Sequence, residues 1–390
     1  MGRRHLSNER IPRPSAGGPK LGVDSQGAPR PLVSRALTAI DLFSGAGGLT
    51  EGLRLAHFRV LGAVEHDALA SETYRRNHPG VYLWEQDIRA LQPREVLATL
   101  GLEPGELDLL AGCPPCQGFS HLRTLNRSRP VEDDRNELVF EYLRFVSHIQ
   151  PAAVLLENVP ALAFDPRMDR LLTELEGLGY PARLGYRVLN AADYGVPQRR
   201  RRLVLIVSRR APLVAKPLSS PRMTVLDAIG SMPQPGHSGD ELHDLPEKRS
   251  AKVMALIRSV PADGGGRLDL SPEQQLRCHR KTDGFKDVYG RMAWSRPAPT
   301  ITSGCVNPSK GRFLHPEQDR AITLREAALL QSFRSDYWFS LSRGKLAAAA
   351  MIGNAFPPPF AAAHALAVRT HLLGMEARPP PTSRDDVASM

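Results

Sequence analysis

From Leu37 onward, short apolar runs alternate with amphipathic stretches: "ALTAIDLF" then "GGLTEGLRLAHF", "RVLGAVE" then "HDALASETYRRN", then "ELDLLAGC", "ELVFEYLRFVSHI" and "AAVLLENV". Strand-length runs separated by helix-length runs predict an α/β chain, a parallel sheet with helices on both faces. Such a sheet takes its ligands beyond the carboxyl ends of its strands, so the loops after Phe43, Glu65, Cys113 and Glu157 are expected to converge on one crevice. Near Arg210 the periodicity fades into proline-rich stretches such as "RRAPLVAKPLSSPRM", which predicts a separate, irregular module reaching to about Trp294. A helix then opens at "TLREAALLQSF", where Thr323 and Glu326 have capping-box spacing. There is no internal repeat.

A chain of 390 residues can bury a sizeable core and is expected to divide into more than one domain. Apolar residues make up 42%, yet no unbroken apolar run approaches the roughly 18 residues of a membrane span. The start, "MGRRHLSNERIPRPS", lacks a secretory apolar core, so the expected location is the cytoplasm, with no membrane partner. A formal charge of +10 and a pI of about 9.7 favour a polyanionic partner, nucleic acid first and anionic membrane second. Part of that excess lies in an Arg-, Pro- and Gly-rich beginning that reads as a disordered tail. The four cysteines, Cys113, Cys116, Cys278 and Cys305, are too few to staple the chain, and no second C-x-x-C pair completes a zinc site. No metal is expected.

Four stretches carry chemistry. "DLFSGAGGLTEGL" sets a strand, a glycine-rich turn and a helix in succession, and Glu65 ends the next strand, where a carboxylate can accept hydrogen bonds from a ribose. That is a nucleoside-cofactor signal, and alone it does not separate NAD from S-adenosylmethionine. In "GCPPCQGFS", Pro114 and Pro115 stiffen the backbone ahead of Cys116 and Gly118 permits a bend after it. The residues alone leave two readings, a reactive thiol at the crevice rim or an inert buried cysteine beside a proline turn. In "LLENV", Glu157 ends an apolar strand, where a desolvated carboxyl can act as an acid or can cap the following turn. In "VPQRRRRLVLIVS", strand alternation sets Gln198, Arg200 and Arg202 on one face and Arg199 and Arg201 on the other.

These motifs, in this order, resemble the cytosine-C5 DNA methyltransferase family. The resemblance extends to Asp87 with Ile88, to "DDRNELVFEYLRFV", to "RPAPTIT" at residues 296 to 302 and to "GNAFPPP" at 353 to 359, and covers about residues 36 to 372. Two departures are Cys113, where the family often has glycine, and Phe356, where it usually has valine. The resemblance implies a Rossmann-like, S-adenosylmethionine-dependent domain with a small irregular target-recognition domain. Its expected layout is a basic tail over 1–35, a catalytic and cofactor-binding domain over 36–209, target recognition over 210–302, a return segment over 303–372, and a disordered tail over 373–390.

It also implies roles. Cys116, Glu157 and Arg202 would be catalytic, with Pro115, Arg200 and Asn158 supporting them. Asp41, Phe43, Gly45, Gly47, Gly48, Leu49, Glu65, His66, Asp87, Ile88 and Asn354 would hold S-adenosylmethionine, leaving S-adenosylhomocysteine after transfer. Gln117, Ser120, Arg123 and Gln198 would touch nucleic acid. The partner would be double-stranded DNA at the nucleoid, bound by a monomer, with a restriction endonuclease paired functionally. Alternative readings are an RNA (tRNA) cytosine-C5 methyltransferase and a noncatalytic DNA-binding relative.

Overall fold

In the computed structural model, residues 35–115, 137–218, 221–276 and 286–376 are described. Cys116, Gln117, Ser120 and Arg123, and all of the expected 1–35 tail but Arg35, lie outside them. The chain builds β1 (Thr38–Leu42), α1 (Gly48–Leu55), β2 (Arg59–Glu65), α2 (Ala68–Asn77), β3 (Tyr82–Glu85), α3 (Pro93–Leu100) and β4 (Leu109–Gly112). There follow α4 (Leu138–Ile149), β5 (Ala153–Asn158), α5 (Pro166–Gly177), β6 (Tyr186–Asn190) and β7 (Arg201–Ser208). Helices α6 (Val225–Ile229), α7 (Glu241–Asp244), α8 (Ala251–Ser259), α9 (Leu324–Leu330), α10 (Gly344–Asn354) and α11 (Pro358–Glu376) complete the order. Helix α11 thus runs past Leu372 into the stretch expected to be a disordered tail, because its apolar face, with Phe360, Ala361, Ala365 and Val368, has a partner to pack on.

The seven strands form one sheet in the order β3-β2-β1-β4-β5-β7-β6. Alternate residues of each central strand enter opposite cores. Val154 and Leu156 of β5 face Tyr142, Phe145 and Ile149 of α4 and Leu171 and Leu175 of α5. Ala153 and Leu155 face the other way, toward Leu49 and Leu53 of α1 and Phe360 and Ala365 of α11. Burial on both faces explains why these strands read as unbroken apolar runs, each large side chain contributing about 1.5–3 kcal/mol. Helix α11 approaches α1 closely enough that a Cβ on Gly52 would fall 2.4 Å from Ala361 Cβ, so glycine is required there by space.

The sheet departs from the all-parallel expectation at one strand. β1, β2, β3, β4 and β5 are mutually parallel, whereas β7 pairs antiparallel with both β5 and β6. Residues 191–200, which join β6 to β7, include only a short 3-10 turn at Ala191–Tyr194. A parallel return needs a dozen or more residues, usually through a helix, so β7 must run back.

Beyond β7, Val225, Ile229 and Leu242 share one apolar cluster with Leu324, Ala327 and Ile352, and Leu256, Ile257, Leu270 and Leu314 form a smaller one. The Thr323–Glu326 capping box forms in both directions at the start of α9. Among the described residues no helix is long and apolar enough to cross a membrane, and no group of three metal-binding side chains occurs.

Three imidazoles are held in their neutral form, above all by burial: His78 is pushed down to about 3 and His315 and His364 to about 4. The unfolded chain takes up these protons below about 6.5 while the folded chain refuses them, so stability is lost as pH falls from there, by up to ~1.4 kcal/mol per group per pH unit. Asp41, raised by burial to about 7, and His66, raised chiefly by hydrogen bonding to Glu65, oppose this, while His371, lowered by burial, adds to the three. We therefore expect the melting temperature to drop between about pH 6.5 and pH 5. His364→Phe, set among Tyr194 and Phe360, should drop less. An unchanged pH slope in that variant would remove His364 from the account.

Candidate active site

The carboxyl ends of β1, β2, β4 and β5 meet around a cavity of about 530 Å³, within the size range of small-molecule and cofactor sites. One wall is the glycine turn. Phe43, Gly45 and Gly47 all take left-handed backbone angles (φ 60°, 54° and 94°), a conformation that a side chain such as Phe43's adopts only under constraint from its surroundings. The constraint is visible in hydrogen bonds: Gly45 N–H donates to Glu65 Oε2 at 2.8 Å, and Ser44 N–H to the Val64 carbonyl at 3.0 Å. Glu65 Oε1 accepts from His66 N–H and Asp67 N–H at 2.9 and 2.8 Å. His66 Nδ1 also stands 3.2 Å from Oε1, so the capacity Glu65 keeps toward the cavity lies on Oε2, which accepts from Gly45. His66, exposed at the rim, has its pKa raised, chiefly by hydrogen bonding to Glu65.

The opposite wall carries the ionisable groups. The β4–β5 register pairs Gly112 with Leu156 and so brings the next residues, Cys113 and Glu157, side by side. Because β7 runs antiparallel to β5, with Asn158 opposite Leu203, its beginning lies at this same edge. Arg202 Nε thereby stands 2.9 Å from Glu157 Oε1, an ion-pair contact without hydrogen-bond alignment, with Glu157 only 7% exposed. The Cys113 thiol faces these groups, and burial, then the charges of Glu157 and Asp41, push its pKa well up. It is therefore a neutral thiol and a poor nucleophile. Asn158 Nδ2 donates to the Pro114 carbonyl at 3.0 Å and fixes the backbone that leads through Pro115 toward Cys116.

The last wall comes from far along the chain. Ala347, Met351, Asn354 and Phe356 line the cavity, and Arg343 bridges to Asp67 Oδ2 at 2.9 Å. Gly353 lies so close to Thr302 that a Cβ there would fall 2.2 Å from the Thr302 carbonyl carbon. Arg200 ties this contact together. It is 2% exposed, donates to the Ile301 and Gly353 carbonyls at 3.2 and 3.0 Å, and leaves Nε without a partner. Burial and the neighbouring Arg202 lower it to about 9.

Phe43, Gly45, Leu49, Glu65, His66, Pro115, Glu157, Asn158, Arg200, Arg202 and Asn354 thus share one cavity. Other expected site residues stand apart from its lining. Asp41 is fully buried beneath the turn, accepting from Thr50 Oγ1 at 2.7 Å, and Gly47 and Gly48 are wedged against Tyr337 and the Phe356 carbonyl. Asp87 spends its carboxylate on Arg89, and Ile88 packs in the core. Gln198 lies outside the lining too: it is 0% exposed, donates to Leu330 O and Gln331 Oε1 and accepts from Ile301 N–H, and so braces the return segment. Asp67 and Arg343 were missed. Asp67 caps α2, a signal present in the sequence as an aspartate before a helical run, whereas nothing local marks Arg343.

A sheet with a glycine turn, an acidic residue at the next strand end and an antiparallel strand beside β5 defines a Rossmann-like methyltransferase fold. The model of the C-5 cytosine-specific DNA methylases matches residues 37–369, and the chain belongs to that family. The Type II methylase M.HgiDII of Herpetosiphon aurantiacus is 36% identical over 355 residues, spanning 87% of this chain and 97% of that one. The Type II methyltransferase M1.HphI of Haemophilus parahaemolyticus is 36% identical over 340 residues, 85% of this chain and 86% of that one. A crystal structure of a prophage-encoded E. coli protein, described as a DNA modification methyltransferase, superposes with a TM-score of 0.63 at 26% identity, covering 87% of this chain and 99% of that one.

Removing the amide that holds the Pro114 carbonyl should loosen this wall. Asn158→Ala is expected to lower unfolding free energy by ~1–2 kcal/mol, measured by denaturant titration. Wild-type stability in that variant would mean that the contact carries no net weight.

Proposed function

We propose that this enzyme methylates C5 of a cytosine turned out of double-stranded DNA, using Cys116 as nucleophile and S-adenosylmethionine as donor. The observation that carries this reading is the buried Glu157–Arg202 pair facing the same cavity as the glycine turn. C5 of cytosine is a weak nucleophile while the ring is aromatic. A Cys116 thiolate adding to C6 would move the electron pair to C5, with Glu157 hydrogen-bonded at N3 and Arg202 at O2 to stabilise the charge that develops. S-adenosylmethionine, when bound, supplies an electrophilic methyl group for C5. Loss of the C5 proton and cleavage of the sulfur–C6 bond restore the ring and the thiol. A stacked base exposes neither face, so the target must leave the helix, at a cost of a few kcal/mol.

The cavity fits such a donor in its polar endowment. Glu65 suits ribose hydroxyls, Phe43 and His66 an adenine nearby, and Asn354 the amino-acid end, while Asp41 sets the turn from below. Arg200 and Asn158 hold the two sides of the site in place. Residues 210–302 would read the duplex, with 303–372 returning to finish the donor wall. The Type II relatives favour a functionally paired restriction endonuclease and a cytoplasmic location.

DNA containing 5-fluorocytosine cannot lose the group at C5, so with S-adenosylmethionine it should trap a covalent adduct at Cys116, located by peptide mass spectrometry. Mapping to Cys113, or turnover without any adduct, rejects the nucleophile. Glu157→Gln is expected to reduce methyl transfer at least ~100-fold, the scale of general acid–base contributions, with donor binding retained. Near-normal turnover would strip Glu157 of its role.

A further inference from the structure

Behind the glycine turn lies a hydrogen-bonded chain whose side chains, Arg54, His78 and Tyr337, are not part of the cavity lining. The Tyr337 hydroxyl, brought from beyond α9, donates to the Ala46 carbonyl at 2.5 Å. His78 Nε2, at the end of α2, stands 2.9 Å from the same hydroxyl, and Arg54 Nη1 stands 3.4 Å from His78 Nδ1. The proton assignments follow from counting. A hydroxyl has one proton, and the Ala46 carbonyl can only accept, so His78 must donate through Nε2 and accept from Arg54 through Nδ1. That arrangement needs a neutral imidazole. Burial, with Arg54 and Arg334 nearby, supplies it by lowering His78 to about 3. All the donors then point the same way, toward the turn, an order that strengthens each link.

The chain also presses directly on the turn. A Cβ on Gly47 would fall 2.5 Å from His78 Nε2 and 2.7 Å from the Tyr337 hydroxyl. His78 and Tyr337 are 1% and 0% exposed, so water does not replace either partner. The turn they hold carries the left-handed backbone of Phe43, Gly45 and Gly47, which persists only when its surroundings over-determine it.

We propose that His78 and Tyr337 are positioning residues that clamp the glycine turn and thereby set affinity for the methyl donor, an inference that rests on reading this turn as the donor's cradle. The clamp joins α2 to the return segment, so residues distant in sequence from the turn govern its shape. Neither side chain lines the cavity that Glu157 and Arg202 face, and so donor affinity should change while the chemical step does not.

The test is calorimetric binding of S-adenosylmethionine to the full chain, with steady-state methylation of duplex DNA alongside. Tyr337→Phe and His78→Leu should each weaken donor binding ~10-fold, the scale of leaving one buried acceptor unpaired. His78→Gln, which keeps an N–H donor, should stay within about 3-fold of wild type. At saturating donor, kcat and the KM for DNA should hold within about 2-fold. Wild-type donor affinity in a folded Tyr337→Phe overturns the clamp, as does an equal loss in kcat, DNA KM and donor affinity. If Tyr337→Phe does not fold, His78→Gln against His78→Leu decides: a difference supports the clamp and equality overturns it. A wild-type chain that turns over DNA yet binds no S-adenosylmethionine sinks the cradle reading itself.

Discussion

The direction of β7 is the constraint on which the site depends. Had this strand run parallel to β5, its first residues would lie at the far end of the sheet, and Arg202 would face the wrong solvent edge. Running antiparallel, it delivers Arg202 to Glu157 and Arg200 to the carbonyls of Ile301 and Gly353 in one stroke. The short 191–200 connection enforces this geometry without any contribution from Glu157 or Arg202 themselves. A loop long enough to allow a helical crossover would have undone it.

A second dependency is the closeness of backbone at two glycines. Gly52 lets α11 lie against α1, and Gly353 lets the end of α10 touch Thr302. In both places the contact is too tight for any Cβ, so a polypeptide segment stands where a side chain would otherwise be. The donor-side wall is built from this contact. Met351, Asn354 and Phe356 face the turn because Gly353 is seated, and Gln198 and Gln331 seal the seam behind with amide hydrogen bonds.

Much of this was legible before any coordinates. Strand runs, the glycine turn, the Thr323–Glu326 cap and the alternation through Gln198, Arg200 and Arg202 all follow from local spacing; the cap forms, and Gln198 and Arg200 are buried while Arg199 and Arg201 are exposed. What escaped were relations between distant residues. Gln198 sits on the face expected, yet alternation cannot tell a face turned toward DNA from one turned toward the return segment. Arg343 meets Asp67 across 276 positions, and Tyr337 meets Ala46 across 291. Nothing in the neighbourhood of either residue encodes its partner. Burial has the same character: Asp41 looks like a ligand-facing carboxylate in the motif, and only packing by α1 reveals it as an interior group.

The long reach of the return segment bears on biosynthesis. The ribosome releases the glycine turn early, but the cavity's last wall and the helix that covers α1 come from residues after 340. A nascent chain therefore carries an apolar sheet face covered only in part, by α1, until residues after 340 emerge, and contacts of such sequence separation form slowly. Threading one pocket through both halves of the polypeptide means that the cavity closes only once these late residues have emerged and packed.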